Sequence, residues 1–321
     1  MARTALITGA TGFLGRQVLQ AFRSAGWNAV GIGFTRAKPP TILKVNLSDP
    51  AELSTALQES RQPPRTDLAN PLATGAANRF PDKCNEDPEG AKAINVEASE
   101  HLAQATSQYN ILLIYISTDY VFPGKPGEAP YEADAAPQPT NLYGQLKLDG
   151  EKAILKATQD TGLGLVLRVP VLYGKAEENK ESAVNVLIDS LWKVQGKEAQ
   201  VKMDDWAQRY PTNTEDVARV CVDVAMKYLD SGDARHNMPK VLQFSSEDRM
   251  TKYEICELFA EIMGLPVDGM VADKDGGDPN ATVQRPYDTH LSTKALKDIG
   301  IDVRTQDFKA WWRWQVGAFR K

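Results

Sequence analysis

Short apolar segments alternate with amphipathic segments along the first half of the chain. The first apolar segment, residues 4–8, leads into a stretch in which Val18, Leu19 and Phe22 recur at helical spacing. The same alternation predicts strands at 28–34, 42–49, 111–118 and 163–174, and helices at 89–109 and 143–156. Strands that are apolar on both faces and alternate with helices are typical of a parallel sheet covered on both sides. We therefore predict an α/β fold with a doubly wound parallel sheet of the Rossmann type and a smaller C-terminal lobe.

The alternation becomes irregular after Gly174. A helix at 214–228 and a strand near 241–246 are expected to return to the sheet. The chain is therefore predicted to pass between the two parts more than once. The predicted division gives two stretches to each part, which are 1–172 and 213–247 for the sheet domain and 173–212 and 248–321 for the lobe.

Composition and charge exclude several classes of function. The 321 residues carry a net charge of −5 and no long run of Lys or Arg, which does not favour binding to nucleic acid or to an anionic membrane. The longest apolar run, residues 111–116, is too short to span a bilayer. Cys84, Cys221 and Cys256 lie far apart without a metal-binding spacing, which indicates buried thiols in a reducing compartment. With no signal peptide apparent, we expect a cytoplasmic protein without a bound metal.

Three glycines mark the junction between the first strand and the first helix. Gly9, Gly12 and Gly15 follow the spacing G-x-x-G-x-x-G. Without Cβ atoms the backbone can turn tightly and approach a diphosphate, whose charge is favoured by the free N–H groups at a helix start. The triplet alone is also compatible with a tight turn. Its place on the first strand of an alternating pattern predicts a dinucleotide site.

The end of the second predicted strand bears on the choice of nucleotide. NAD-selective sites place an acidic residue there, whereas an arginine suits the 2′-phosphate of NADP. The chain offers Thr35, Arg36 and Lys38 and no acidic residue in this segment. Basic residues after a strand are also common in solvated loops. We predict NADP(H) as the cofactor.

Tyr143 and Lys147 lie four residues apart and therefore on one face of a helix. A nearby lysine lowers the cost of forming the phenolate, so Tyr143 is a candidate general acid toward a carbonyl that receives hydride. Ser117 and Thr118 end a strand, where a hydroxyl could orient a substrate oxygen. Each pattern alone is common by chance. Their order behind the glycine loop predicts Thr118, Tyr143 and Lys147 as a reactive set.

These residues resemble the extended short-chain dehydrogenase/reductase superfamily over nearly the whole chain. Three segments look like the branch of the dTDP-4-dehydrorhamnose reductases, namely "STDYVF", "PYEADAAPQPTNLYGQLKLDGEKAIL" and "LRVPVLYG". That likeness implies an extended Rossmann fold and the NADPH-dependent reduction of a 4-keto nucleotide sugar by Thr118, Tyr143 and Lys147.

A second set of segments is more specific. It comprises "WNAVGIGFTRAKP", "ESAVNVLIDSLWKV", "MDDWAQRYPTNTEDVARVC", "MTKYE" and "VQRP". They resemble the family of regulatory beta subunits of methionine adenosyltransferase. Membership would imply NADP binding and a regulatory role, in which the chain joins the catalytic alpha subunit and modulates S-adenosylmethionine synthesis. We favour this interpretation over the reductase, because an intact reactive set does not prove turnover.

The resemblance also implies which residues contact the cofactor. Besides Gly9 and Gly15, these are Thr11, Gly12, Phe13, Leu14, Phe34, Thr35, Arg36, Asn46, Leu47, Arg79, Tyr143, Lys147 and Leu172. Asn95 matches a helix asparagine that supports the active site in this superfamily, although an amide on a helix surface is the simpler interpretation.

One segment departs from the family pattern. The family has a strongly apolar strand beside the glycine loop, whereas this chain has "SRQPPRTDLANPLATG". Pro63, Pro64 and Pro71 cannot donate hydrogen bonds within a sheet. We expect a poorly packed middle strand or a looping insertion over 60–75, which would disturb the cofactor floor near Gly75 and Ala76.

Two further segments are candidates for binding a partner or a ligand. If the C-terminal segment is helical, Phe308, Trp311, Trp312 and Gln315 share one side, which favours a helix that closes the lobe. The resemblance implies that the end of the chain docks into the catalytic alpha subunit, with the candidate contacts Phe319 and Arg320. Reductases of this branch bind the nucleotide sugar at a loop that here contains Trp206, Gln208 and Arg209.

Overall fold

A computed structural model describes residues 3–59, 71–74, 79–196, 199–276, 278 and 281–318. The strands are β1 (Thr4–Thr8), β2 (Asn28–Gly33), β3 (Ile42–Lys44), β4 (Pro71–Thr74), β5 (Leu112–Thr118), β6 (Gly164–Val169), β7 (Leu172–Tyr173), β8 (Val201–Asp204), β9 (Thr212–Asn213), β10 (Val241–Gln243) and β11 (Met270–Asp273). The α-helices are α1 (Phe13–Ser24), α2 (Pro50–Glu59), α3 (Pro81–Glu86), α4 (Pro88–Lys92), α5 (Ala98–Gln108), α6 (Leu142–Ala157), α7 (Leu187–Lys193), α8 (Thr214–Asp230), α9 (Lys252–Met263), α10 (Lys294–Asp298) and α11 (Phe308–Gln315).

Seven strands form one parallel sheet in the order β10-β6-β5-β4-β1-β2-β3. The chain runs outward from β1 to β2 and β3, then crosses over to β4 and continues in the opposite direction. This reversal makes the crevice at the carboxyl ends of β1 and β4 the expected ligand site. The predicted doubly wound parallel sheet is confirmed.

Alternating residues of β1 explain why both faces of the sheet are covered. Ala5 and Ile7 pack into a buried cluster with apolar residues of α1 and α8. Leu6 points to the opposite face and packs with residues of α2, α5 and α6. Because successive side chains of a strand point to opposite faces, an uninterrupted apolar strand requires helices on both sides.

The middle strand of the sheet corrects one expectation. Residues 71–74 form β4, which pairs with β1 on one side and with β5 on the other. Pro71 is the first residue of this strand, a position at which proline is tolerated because it does not interrupt the ladder. Residues 71–74 are therefore not part of a looping insertion, whereas poor packing of this strand stays a prediction. Pro63, Pro64, Gly75 and Ala76 lie outside the described residues.

A second core lies beside the sheet. It combines Tyr173 and residues of α7 and α9 with Phe308, Trp311 and Trp312 of α11. Two short sheets, β8 with β11 and β7 with β9, accompany it. The prediction for the C-terminal helix is confirmed for its three aromatic residues, whereas Gln315 is exposed. The division of the chain at the predicted boundaries stays a prediction.

Candidate functional site

A cavity of about 770 Å³ opens at the carboxyl ends of the central strands. The turn after β1, the end of β5, the start of α6 and the segment before α7 all contribute to its wall. Twelve of the predicted site residues line it, which are Gly9, Thr11, Gly12, Phe13, Leu14, Thr35, Arg36, Arg79, Thr118, Tyr143, Lys147 and Leu172. The fold thus brings most of the predicted cofactor and reactive residues to one place.

The glycine turn is shaped to receive a phosphate group. Gly9 has a φ of 63°, a conformation that favours glycine, and its carbonyl accepts a hydrogen bond from the Gly12 N–H at 2.7 Å. A Cβ atom on Gly15 would lie 2.1 Å from the Gly9 oxygen, so only glycine lets α1 approach β1 this closely. The start of α1 lines the cavity through Phe13 and Leu14, and the unpaired N–H groups of a helix start favour anions.

Three arginines gather beside this turn. Arg16 Nη1 donates to the Thr11 carbonyl at 2.8 Å, and its guanidinium also contacts Glu181 with both ends at 3.1 and 2.5 Å. Arg36 Nη1 lies 3.1 Å from a Glu177 oxygen and 3.4 Å from a Glu181 oxygen. Arg79 donates to the main-chain oxygen of Glu181. The turn and the arginines together form a cationic surface that fits the diphosphate and 2′-phosphate of NADP.

Glu181 is the carboxylate that balances these arginines. Burial alone would raise its pKa, but hydrogen bonds from Arg16, the Glu177 N–H and Arg36 outweigh burial and lower the pKa to about 2. Burial lowers the pKa of Arg79, while the charge of Glu181 opposes this effect. Glu181 therefore stays charged at every ordinary pH. Neither Arg16 nor Glu181 was expected from the sequence.

Tyr143 and Lys147 project from the first turns of α6 into the cavity wall. Asn141 fixes the start of this helix by accepting a hydrogen bond from the Gly144 N–H at 2.9 Å. Burial raises the pKa of Tyr143, and a hydrogen bond with Thr118 partly opposes this. The phenol is therefore protonated at neutral pH and can serve as a proton donor.

Lys147 is held on β5 from two sides. Its Nζ donates to the Ile116 carbonyl at 2.7 Å and lies 3.8 Å from the centre of the Tyr115 ring. Burial lowers the pKa of Lys147 to about 7, although the charge of Glu151 opposes this effect. Burial thus disfavours the ammonium form, and Glu151 only partly offsets this effect. Binding of an anionic ligand nearby would favour the charged form.

Ser117 also lines the cavity, but its hydroxyl bonds to a buried carboxylate. Its hydroxyl donates to Glu151, which also accepts hydrogen bonds from Arg168 Nε at 2.9 Å and Nη2 at 2.7 Å. The side chains of Glu151 and Arg168 are only 3% and 4% exposed, so this ion pair belongs to the core between β5, β6 and α6. Thr118 keeps its place at the cavity, and its hydroxyl donates to Asp119 at 3.0 Å.

Asn95 lies in a π-helical turn, Ala93–Glu97, and is fully buried. Its main-chain oxygen accepts hydrogen bonds from Tyr115 at 3.2 Å and Ser99 at 3.1 Å. The interpretation as a surface amide is therefore wrong. Tyr115 also lies against Lys147 Nζ, so the Asn95 main chain is linked to the lysine through this ring, and a supporting role for the Asn95 side chain stays a prediction. Single π-turns of this kind are frequent at functional sites.

Four predicted cofactor residues stand outside the cavity wall, which are Gly15, Phe34, Asn46 and Leu47. Phe34 follows β2 with its ring 52% exposed, and Lys44 Nζ lies 5.7 Å from the ring centre. Asn46 accepts a hydrogen bond from the Ser48 N–H at 3.1 Å, and Leu47 packs against the core below. Their contacts with a cofactor stay predictions.

A second group of cations lies at the cavity wall. Arg209, Lys252 and Arg285 all line it. Arg209 is 6% exposed and donates to the Gln208 carbonyl at 2.9 Å. Trp206 stands outside the wall and packs on Tyr287, with ring centres 4.9 Å apart. Of the three predicted loop residues, only Arg209 thus reaches the cavity. Lys252 had no distinguishing pattern in the sequence.

The described residues contain no helix that is long and apolar enough to cross a membrane. Within the same parts of the chain, no cluster of acidic, histidine or cysteine side chains is arranged to hold a metal ion. Cys84, Cys221 and Cys256 are buried. Phe319 and Arg320, the predicted partner contacts, lie outside the described residues.

Comparison with known proteins identifies the family. Residues 3–314 match the RmlD substrate binding domain. Methionine adenosyltransferase 2 subunit beta of Rattus norvegicus is 41% identical over 306 residues, which cover 95% of this chain and 84% of that protein.

Solved structures of dTDP-4-dehydrorhamnose reductases share the fold. The enzyme from Clostridium acetobutylicum has a TM-score of 0.78 at 21% identity and covers 98% of both chains. The enzyme from Bacillus anthracis, solved in complex with NADP, has a TM-score of 0.78 at 18% identity over 99% of this chain and 100% of that chain. Both resemblances predicted from the sequence are confirmed. The chain belongs to the RmlD substrate binding domain family and, within it, to the family of methionine adenosyltransferase 2 beta subunits.

Proposed function

We propose that this chain is an NADP(H)-binding regulatory subunit of methionine adenosyltransferase and modulates S-adenosylmethionine synthesis. The observation that carries the proposal is 41% identity to a methionine adenosyltransferase 2 beta subunit across 95% of the chain. The cavity, with the glycine turn and with Arg36 and Arg79 in its wall, supports the nucleotide part of the proposal. The buried thiols of Cys221 and Cys256, which form no disulfide, favour a cytoplasmic location.

The residues at the cavity fit the cofactor in three places. The turn from Gly9 to Gly15 would hold the diphosphate against the start of α1. Arg36 and Arg79 would bind the 2′-phosphate, because guanidinium groups match phosphate oxygens with paired hydrogen bonds. Lys147 and Tyr143 would hold the nicotinamide ribose. When bound, NADP(H) supplies a nicotinamide ring that can exchange hydride. We also propose that the remaining predicted site residues contact the cofactor. The chain would be divided between the sheet domain and the lobe at the boundaries predicted from the sequence.

The predicted contact with the catalytic alpha subunit can be tested at the end of the chain. Deleting residues 308–321 would also remove the buried Phe308, Trp311 and Trp312, so it would confuse loss of folding with loss of binding. We propose instead the double substitution Phe319→Ala and Arg320→Ala in the full chain. If these residues are interface anchors, the affinity for the catalytic subunit should fall about 30-fold or more. The variant should then no longer co-elute with that subunit at concentrations where the unchanged chain does.

The control for this variant is its own folded stability, measured by thermal unfolding, which should match that of the unchanged chain. If the double variant and the unchanged chain co-elute equally with the catalytic subunit, Phe319 and Arg320 are not interface contacts. S-adenosylmethionine synthesis by the catalytic subunit, followed with and without each protein, would then report whether regulation is also independent of this contact.

A reductase acting on a 4-keto nucleotide sugar is the second candidate function. It is favoured by the joint presence of Thr118, Tyr143 and Lys147 at the cavity. Tyr143 is protonated and could donate a proton to a carbonyl oxygen, while Lys147 stabilises the phenolate that remains. Arg209 and its cationic neighbours could hold the diphosphate of the sugar nucleotide.

A turnover assay separates the two functions. NADPH oxidation is followed by absorbance in the presence of dTDP-4-dehydrorhamnose. The regulatory proposal predicts no turnover by a chain that still binds NADP(H). Turnover that falls by about 100-fold or more in Tyr143→Phe would establish the reductase instead, because general acid catalysis typically contributes that much.

A further inference from the structure

Two carboxylates from a distant segment reach the arginines beside the glycine turn. We call Glu177 and Glu181, with the residues between them, the acidic clasp. A short 3-10 helix, Asn179–Glu181, lies within the clasp. The clasp belongs to the loop between β7 and α7 and is therefore contributed by a different part of the chain from the glycine turn.

The two carboxylates of the clasp are held very differently. Glu181 is 10% exposed and is bound by Arg16 at both oxygens, by Arg36 and by the Glu177 N–H at 2.9 Å. Glu177 is 60% exposed, and its carboxylate contacts Arg36 at 3.1 Å and Arg16 at 3.4 Å. Glu181 is thus held in place by several contacts, whereas breaking the exposed ion pairs of Glu177 costs little free energy.

Arg36 is the cation for which the carboxylates of the clasp and a bound phosphate group would compete. Its side chain is 52% exposed, and its Nη1 is the atom closest to both carboxylates. A guanidinium that is paired with Glu177 has fewer donors free for a phosphate group. A phosphate at the same place would also be repelled by the Glu177 charge. NAD lacks the 2′-phosphate and would not need Arg36.

We propose that Glu177 is a specificity-determining residue, which competes with the 2′-phosphate for Arg36 and thereby narrows the preference for NADP over NAD. This inference rests on the proposed binding of NADP(H). Glu181, in contrast, remains with Arg16 and fixes the clasp. Release of Arg36 from Glu177 accompanies NADP binding, whereas NAD binds with the pair intact.

Glu177→Gln tests this role, with Glu178→Gln as the matched control. Glu178 is 62% exposed and pairs with Lys180, so its substitution removes the same charge one residue away without touching Arg36. Dissociation constants for NADP⁺ and NAD⁺ are measured by calorimetry for all three proteins. Glu177→Gln should raise the NADP⁺ affinity about two- to fivefold and leave the NAD⁺ affinity within a factor of about 1.5.

Glu178→Gln should change both affinities equally, by less than a factor of about 1.5. In an Arg36→Ala background, Glu177→Gln should have a smaller selective effect, because only the direct repulsion between Glu177 and the 2′-phosphate is then relieved. The inference is overturned if Glu177→Gln leaves the ratio of the two affinities unchanged, lowers it, or matches Glu178→Gln. Those outcomes leave the proposed function intact. Failure of the unchanged chain to bind NADP⁺ would instead overturn both.

Discussion

Replacing Trp312 with alanine should lower the free energy of unfolding by about 3–5 kcal/mol, the range for large-to-small aromatic substitutions in a core. The Trp312 side chain is 2% exposed. Its ring packs on Phe259 at 4.7 Å and on Trp311 at 4.9 Å between ring centres. Urea unfolding followed by far-ultraviolet circular dichroism measures the loss, since the substitution itself changes tryptophan fluorescence.

Trp314 provides the control on the same helix. Its side chain is 66% exposed, so Trp314→Ala should change the free energy of unfolding by no more than about 0.5 kcal/mol. Equal destabilisation by the two substitutions would contradict the assignment of α11 to the core. The comparison also matters for function. Any loss of partner binding in Trp312→Ala must be corrected for unfolding, whereas a loss in Trp314→Ala would point to an exposed contact.

Gly15→Ala should destabilise the protein by about 3 kcal/mol and abolish measurable nucleotide binding. The added Cβ atom would lie 2.1 Å from the Gly9 oxygen and 2.7 Å from the Gly9 carbonyl carbon. Both atoms belong to the backbone of the turn, so the clash cannot be relieved by rotation of a side chain. Helix α1 would have to move away from β1, and the turn would lose the shape that receives the diphosphate.

Gly196→Ala is a suitable control for this substitution. Its Cβ atom would lie 3.5 Å from the nearest heavy atom, an ordinary contact distance. Urea unfolding and nucleotide titration should therefore show a loss of stability and of nucleotide affinity in Gly15→Ala, and neither loss in Gly196→Ala. Normal stability and normal nucleotide affinity in Gly15→Ala would show that the close approach of α1 and β1 is not required.

Local patterns were sufficient to predict the framework of the site. The glycine spacing depends on a single turn, and Tyr143 and Lys147 depend on one helical repeat, so both could be identified from short stretches. The alternation of apolar and amphipathic segments likewise predicted the parallel sheet. Side-chain partners that come from distant parts of the chain left no such pattern. Glu181 meets Arg16 across 165 positions.

Two places in the sheet show what the sequence left open. Ser117 occupies the predicted place at the end of β5, but the buried pair of Glu151 and Arg168 uses its hydroxyl. A buried carboxylate requires several donors, and the sequence does not reveal which donors will be used. The proline-rich segment suggested a poorly packed strand or a looping insertion, whereas Pro71 opens β4 and leaves its pairing intact. In both cases tertiary pairing decided the outcome.

Titration of the purified chain with NADP⁺ and with NAD⁺ in a calorimeter tests the central claim most directly. The proposed site predicts saturable binding of one NADP⁺ per chain, tighter than that of NAD⁺, together with a higher unfolding temperature in the presence of NADP⁺. Binding heat and thermal protection that are absent for both nucleotides would contradict the claim that this cavity is a dinucleotide site.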